Sequence, residues 1–255
     1  MPSTLPNRID RVAMFAAARW MGDHPQTVIA AHALLTGRCQ AWIAGEAENP
    51  RALLIRTNWV PTEPYGFGRD AGALTDLLLS IDGWTCVNVG GALIETMPDE
   101  LRRRTGREVR QFGDLYSVML RMEQRFDHPS VRLLTRDDVD LLADAAPPVG
   151  PHDRKTAGMI LREGICAAAL IDGRIVSRVH AFPTLPRHAE LGAATLKAYR
   201  GRGLNTACAS LVVQELLSRK ITPVWSTGED NAPSQRVAAK LGFVRTTARV
   251  YLSLI

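Results

Sequence analysis

Hydrophobic residues recur along the chain with a spacing that switches several times between the period of a helix and the period of a strand. Helical spacing predicts helices over residues 9–21, 27–35, 71–80, 93–104, 135–145, 153–161, 204–218 and 233–241. Short apolar runs bounded by turn residues predict strands over residues 41–44, 52–57, 84–89, 116–121, 131–134, 166–171, 174–181, 189–196, 222–227 and 243–252. This mixture of helices and strands predicts a fold of the α/β class, of the α+β type.

The predicted elements follow the same order in both halves of the chain: helices, strands, a helix, a strand, a helix and a strand. This repetition predicts two domains, residues 1–127 and 128–255, with a linker near residues 126–130. Residues 61–68, which contain two prolines and two glycines, are predicted to form a loop in the first domain. The pair Asp172-Gly173 predicts a tight hairpin turn in the second domain.

Residues 199–206, with the sequence YRGRGLNT, lie between a predicted strand and a predicted helix. Glycines let backbone amides approach a ligand, and the first N–H groups of a helix have no partner within it. The helix dipole favours an anion at the same place, and Arg200 and Arg202 add full positive charges. The segment therefore predicts a pyrophosphate site, and a basic surface turn at a helix start is the alternative. Its spacing matches neither a dinucleotide-binding nor a Walker motif.

Two blocks of sequence resemble the GNAT superfamily of N-acyltransferases. Arg200 and Gly203 match the element R-x-x-G-x-[GA], although Asn205 stands where the family has Gly or Ala. Residues 224–243 are similar to the strand, the Asn-led helix and the terminal Leu-Gly-Phe of the family. The strong resemblance covers residues 188–245 and is nearest to the bacterial branch typified by zwittermicin-type resistance acetyltransferases. It implies a mixed, mainly antiparallel sheet flanked by helices. Because the first half repeats the order of elements without the anion loop, we expect tandem GNAT-like domains of which the first is degenerate.

The resemblance implies transfer of an acetyl or other acyl group from acyl-CoA, a co-substrate, to an amine by direct transfer in a ternary complex. We expect the backbone of residues 193–195 to pair with the pantetheine arm, and the loop to hold the pyrophosphate. Asn231 and Ser234 are further candidates for the arm, although Asn231 is equally typical of a helix start and Ser234 is slightly more typical of one. The full set of implied cofactor-binding residues is Ala193, Ala194, Thr195, Arg200, Gly201, Arg202, Gly203, Leu204, Asn205, Thr206, Asn231 and Ser234.

Glu190 is the candidate catalytic base, because several members of the family carry a carboxylate at the matching place of the central strand. The alternative is a carboxylate on a strand face that pairs with Arg178 or Arg187. Many relatives also carry a Tyr seven residues after the Asn, where this chain has Ala238. This departure favours the alternative function, a non-catalytic acyl-CoA-binding sensor or assembly protein.

The composition of the chain limits the kinds of molecule that we expect it to bind. The first 127 residues carry 14 arginines and 15 acidic residues, whereas the remaining residues carry 17 basic and 11 acidic residues, so the positive excess lies with the candidate anion loop. The chain has no Lys/Arg-rich run and no apolar run of about 20 residues, so we expect neither a nucleic-acid nor a membrane partner. Four scattered cysteines predict a reduced, cytoplasmic protein without a metal site. The expected acceptor is a small-molecule amine, with protein acetylation as the alternative.

Overall fold

A computed structural model describes residues 8–151, 153–182 and 184–255, so the first seven residues of the predicted first domain lie outside the described residues. The helices are α1 (Arg11–Met21), α2 (Val28–Thr36), α3 (Ala71–Leu79), α4 (Leu93–Thr105), α5 (Val139–Ala143), α6 (Arg154–Glu163), α7 (Leu204–Ser218) and α8 (Ala232–Leu241). The strands are β1 (Cys39–Glu46), β2 (Asn49–Thr57), β3 (Tyr65–Gly68), β4 (Val87–Val89), β5 (Val109–Val118), β6 (Val131–Leu133), β7 (Ile165–Ile171), β8 (Arg174–Ala181), β9 (His188–Thr195), β10 (Thr222–Gly228) and β11 (Val244–Leu254).

The chain forms two compact units. The first unit contains the residues up to Leu115 together with Thr247–Ile255, and the second contains Tyr116–Thr246. These units differ from the predicted division between residues 127 and 128, because β5 and β11 each contribute residues to both.

Strands of the first unit follow the order β1, β2, β3, β4 and β11. Neighbouring strands are antiparallel except for β3 and β4, which are parallel. The loop predicted over residues 61–68 is therefore wrong for Tyr65–Gly68, which form β3. Gly66 explains the error, since a Cβ there would lie 2.7 Å from Leu74 Cδ2. The glycine that favours a loop in the sequence allows the strand to pack closely on α3.

The second unit has the strand order β10, β9, β8, β7 and β6. Its neighbouring strands are antiparallel except for β9 and β10, which are parallel. The predicted hairpin joins β7 to β8, and its turn residues Asp172 and Gly173 have positive φ angles of 50° and 73°. Helix α7 packs on one face of this sheet, and α5 and α6 pack on the other.

The predicted fold class is confirmed. Each unit has helices around a mixed, mainly antiparallel sheet, and the order of three antiparallel strands followed by one parallel strand occurs in both. Among the described residues, no helix is long and apolar enough to cross a membrane. All four cysteines are buried and free, and burial raises the pKa of Cys166 and Cys208 to about 12.

Candidate functional site

An open strand edge in the second unit is the first component of the candidate site. Strands β9 and β10 pair only where Thr222–Val224 lie opposite His188–Glu190. Beyond Glu190, β9 continues to Thr195 and remains paired with β8 alone. The edge of β9 that faces away from β8 is therefore open from residue 191 to residue 195.

The hydrogen-bonding pattern between β8 and β9 shows which backbone groups of β9 point to this open edge. The N–H of Leu196 donates to the carbonyl of Val176 at 2.9 Å, and alternate residues of a strand direct their backbone groups to the same neighbour. Ala194, opposite Arg178, therefore directs its groups to β8, whereas Ala193 and Thr195 direct theirs to the open edge. An extended chain with amide groups, such as pantetheine, could pair with Ala193 and Thr195 as an added strand would.

The turn after β9 leads directly into the N-terminus of α7. Gly201 and Gly203 have φ angles of 76° and 78°, in the left-handed region that favours glycine. A Cβ at either position would meet nothing within 4 Å, so backbone conformation rather than crowding requires these glycines. Because Gly203 is the N-cap of α7, no cap side chain covers the first N–H groups of the helix, at residues 204–206. These groups are available to an anion.

Two exposed arginines flank this helix start. The Nε of Arg200 donates to the carbonyl of Thr195 at 3.3 Å, which ties the arginine to the end of β9. The Nη2 of Arg202 donates to the carbonyl of Ala198 at 3.3 Å, and its guanidinium lies 5.1 Å from the ring centroid of Tyr199. Together with the helix dipole, these charges make the turn a positive site suited to a diphosphate.

Asn205 occupies the position where the family prefers a small residue, and its side chain is turned toward the sheet. Its Nδ2 donates to Ser177 Oγ at 3.5 Å, and that hydroxyl lies 2.8 Å from Thr195 Oγ1. The three side chains join the first turn of α7 to the middle of β8 and the end of β9. Sequence reasoning missed Ser177, because nothing in its local pattern distinguishes it from other strand serines.

Glu190, the predicted base, is half-buried on β9 at the point where β9 and β10 separate. Ser226, two residues beyond the last paired residue of β10, donates a short hydrogen bond from its Oγ to Glu190 Oε1. This bond fixes the orientation of the carboxylate beside the open edge. Ser226 was also missed, because a sequence separation of 36 positions hides the contact between the two partners.

The predicted cofactor residues on α8 have structural contacts. Asn231 is the N-cap of this helix, and its side chain accepts from the N–H of Ser234 at 3.2 Å. Ser234 Oγ in turn accepts from Trp225 Nε1 at 2.9 Å. Their contact with pantetheine stays a prediction. Ala238, at the position of the family Tyr, is buried in the core that contains α7.

Comparison with known proteins agrees with this geometry. A family model described as GNAT acetyltransferase matches residues 156–251, the part of the chain that contains the open edge of β9 and the glycine turn before α7. This chain has the GNAT fold. A search of curated proteins gave no match.

Solved structures with the GNAT fold match nearly the whole chain. A GCN5-related N-acetyltransferase-like protein from Streptococcus suis is 20% identical, with a TM-score of 0.66 over 96% of this chain and 99% of that one. A putative GNAT acetyltransferase from Novosphingobium aromaticivorans is 23% identical, with a TM-score of 0.57 over 91% of this chain and 100% of that one. A tandem GNAT protein from the clavulanic acid biosynthesis pathway is 14% identical, with a TM-score of 0.58 over 96% and 94% of the two chains.

Proposed function

We propose that this protein is an acyl-CoA-dependent N-acyltransferase that transfers an acetyl or other acyl group directly to a small-molecule amine. The observation that carries the proposal is the open edge of β9, which is joined through one short 3-10 turn, Lys197–Tyr199, to the glycine turn and the start of α7. A strand edge for the amides of pantetheine and an adjacent positive helix terminus for its diphosphate form one continuous site. Membership of the zwittermicin-type branch and a cytoplasmic location stay predictions.

The residues of this site could perform the transfer by a simple route. Acyl-CoA supplies a thioester whose carbonyl carbon a neutral amine attacks, and the thiolate leaves as the amide forms. The open edge holds the thioester in place, which supplies much of the rate enhancement through positioning. Glu190, held by Ser226, accepts the proton that the amine nitrogen loses, directly or through a water molecule.

We also propose that the first unit is a degenerate GNAT-like copy that does not bind acyl-CoA. Its parallel strands β3 and β4 pair only at Tyr65 and Asn88, so they separate as β9 and β10 do. Arg249 lies between these strands, and its Nη2 donates to the carbonyls of Gly66 at 2.8 Å and Asn88 at 3.0 Å. The guanidinium thus uses backbone acceptors of the first unit at the place where the second unit has an open edge.

The helix that follows β3 supports the same proposal. Helix α3 begins after Asp70, whose carboxylate accepts from the N–H of Ala73 at 2.9 Å. That carboxylate also pairs with Arg51 at 2.8 Å. A protein anion therefore occupies the helix start that corresponds to the start of α7, and its charge would repel a diphosphate.

The alternative function is a non-catalytic acyl-CoA-binding sensor or assembly protein. The buried Ala238 favours it, because an alanine cannot protonate the departing thiolate as the family Tyr can. Acyl-CoA binding is expected under both proposals, so binding alone does not separate them.

Amine-dependent release of free thiol from acetyl-CoA tests the enzyme proposal. A panel of small amines should reveal turnover, and Glu190→Gln should lower it about 100- to 10,000-fold while acetyl-CoA affinity is retained. Glu215→Gln is the matched control, since Glu215 lies on α7 and pairs with Arg219 away from the open edge. Binding without thiol release across the panel would favour the sensor, and equal rates in wild type and Glu190→Gln would exclude Glu190 as the base.

A further inference from the structure

A buried arginine lies on the sheet face of the second unit that α5 and α6 cover. In the strand register, Arg178 of β8 lies between Ala168 of β7 and Ala194 of β9. Both alanines pack with the apolar cluster of this face, which includes Leu142 of α5 and Ile160 of α6. Because directly opposite residues share a face, the Arg178 side chain belongs to this face too, with small residues on both sides.

The guanidinium of Arg178 has charge and donors that the protein leaves uncompensated. The residue is only 8% exposed, and its Nε and Nη1 are buried with no hydrogen-bond partner among the described residues. Burial lowers the pKa of Arg178, against a smaller opposing effect of the Cys166 thiol, but an arginine stays charged at neutral pH. Buried charges in proteins are normally paired, so this arginine needs a separate explanation.

The same face connects Arg178 with the candidate base. His180, two residues along β8, lies opposite Gly192, and a Cβ on Gly192 would come within 2.5 Å of His180 Cε1. Glu190 is two residues before Gly192 on β9, so it lies on this face as well. Arg178, His180 and Glu190 thus form a polar diagonal across this face. Arg132 of β6, opposite Ala168, shares the face but is already paired with Asp138.

We propose that Arg178 binds a carboxylate carried by a substrate of the acyl transfer site. The inference rests on the proposed function for the location of the reacting groups. A planar guanidinium matches a carboxylate with paired charge-assisted hydrogen bonds, and a substrate anion would supply the missing partner. The diphosphate of the cofactor is already accounted for at the start of α7, at the end of β9. The carboxylate belongs either to the acceptor amine or to a dicarboxylic acyl group on CoA.

Binding measurements with Arg178→Met test this assignment, with Arg174→Met as the matched control on the exposed end of β8. In the acyl arm, calorimetry compares succinyl-CoA with acetyl-CoA. In the acceptor arm, the protein, free and loaded with CoA, is titrated with α- and ω-amino acids, each against its carboxamide. Wild type and Arg174→Met should prefer the carboxylate probe about 10- to 100-fold in one arm, and Arg178→Met should lose that preference.

The arm that shows the preference identifies the source of the carboxylate. Equal affinity for carboxylate and neutral probes in both arms, or a preference retained by Arg178→Met, would overturn the proposal. Arg178→Met should also melt at the same temperature as wild type or higher, because it removes an unpaired buried charge. A clearly lower melting temperature would show that Arg178 has a structural partner, which contradicts the proposal too. Failure of the proposed function is distinguishable: without the acyl-CoA site acetyl-CoA would bind to none of the proteins, and without catalysis it would bind to all of them with no amine-dependent thiol release.

Discussion

Arg249 offers the sharpest test of how the first unit is held together. Its Nη2 donates to two backbone carbonyls, its Nε donates a short bond to Asn88 Oδ1, and its guanidinium lies 4.1 Å from the ring centroid of Phe67. Arg249, Asn88 and Asp114 are all buried, and Asn88 Nδ2 donates to Asp114 Oδ2 at 2.9 Å. Replacement of Arg249 by Met therefore leaves several buried acceptors without their donor.

The expected loss follows from these contacts. Each buried hydrogen bond contributes about 1 kcal/mol net, and a desolvated cation–π contact contributes about 1–2 kcal/mol. The free energy of unfolding should fall by about 4 kcal/mol, within the range of about 3–5 kcal/mol for removal of one partner of a buried charged network. Urea unfolding, monitored by circular dichroism, measures this loss of free energy. Arg245→Met, an exposed change on β11, should cost less than about 0.5 kcal/mol. A loss below about 1 kcal/mol for Arg249→Met would show that these buried contacts do not hold the first unit together.

Two further predictions concern the second unit. Arg200→Ala should weaken acetyl-CoA binding about tenfold in calorimetry, because it removes a charged donor beside the proposed diphosphate site. Arg219→Ala, at the opposite end of α7, should leave the affinity unchanged. Equal affinities in wild type and both variants would contradict the assignment of residues 199–206 as the diphosphate site. Arg132 lowers the pKa of Asp138 from 3.8 to about 2, so this pair stabilises the fold above about pH 4 and the contribution is lost as the pH falls through 2. Asp138→Asn should therefore lower the free energy of unfolding by about 1 kcal/mol at neutral pH, a modest value because the Arg132 side chain is 46% exposed. In urea unfolding, this difference from wild type should shrink as the pH approaches 2. A cost independent of pH would contradict it.

Local patterns predicted much of the second unit. Helix α7 has the predicted bounds, since a glycine turn marks its start and its apolar residues continue to the end. The Asp172-Gly173 turn was equally predictable, because only a few residue types adopt two successive positive φ angles. The turn over residues 199–206 combines both kinds of local information, so the sequence alone predicts a diphosphate site there, and that site stays a prediction.

Contacts between residues far apart in the sequence could not be predicted in this way. Arg249 bonds to Asn88 and Gly66 across 161 and 183 residues, and no local pattern marks an arginine in a strand as buried. Strand β3 was missed because its two glycines serve close packing, of Gly66 against α3 and β4 and of Gly68 against β2. Ser226 and Ser177 gain their significance only when β10 and α7 bring Glu190 and Asn205 beside them.

We propose that the chain binds acyl-CoA in its second unit and nowhere else. Calorimetric titration of the full-length protein with acetyl-CoA tests this claim most directly, because it reports affinity and stoichiometry together. We expect one site per chain, since Asp70 and Arg249 occupy the corresponding positions of the first unit. No binding would contradict the proposed site in the second unit, and two sites per chain would contradict the proposal that the first unit is degenerate.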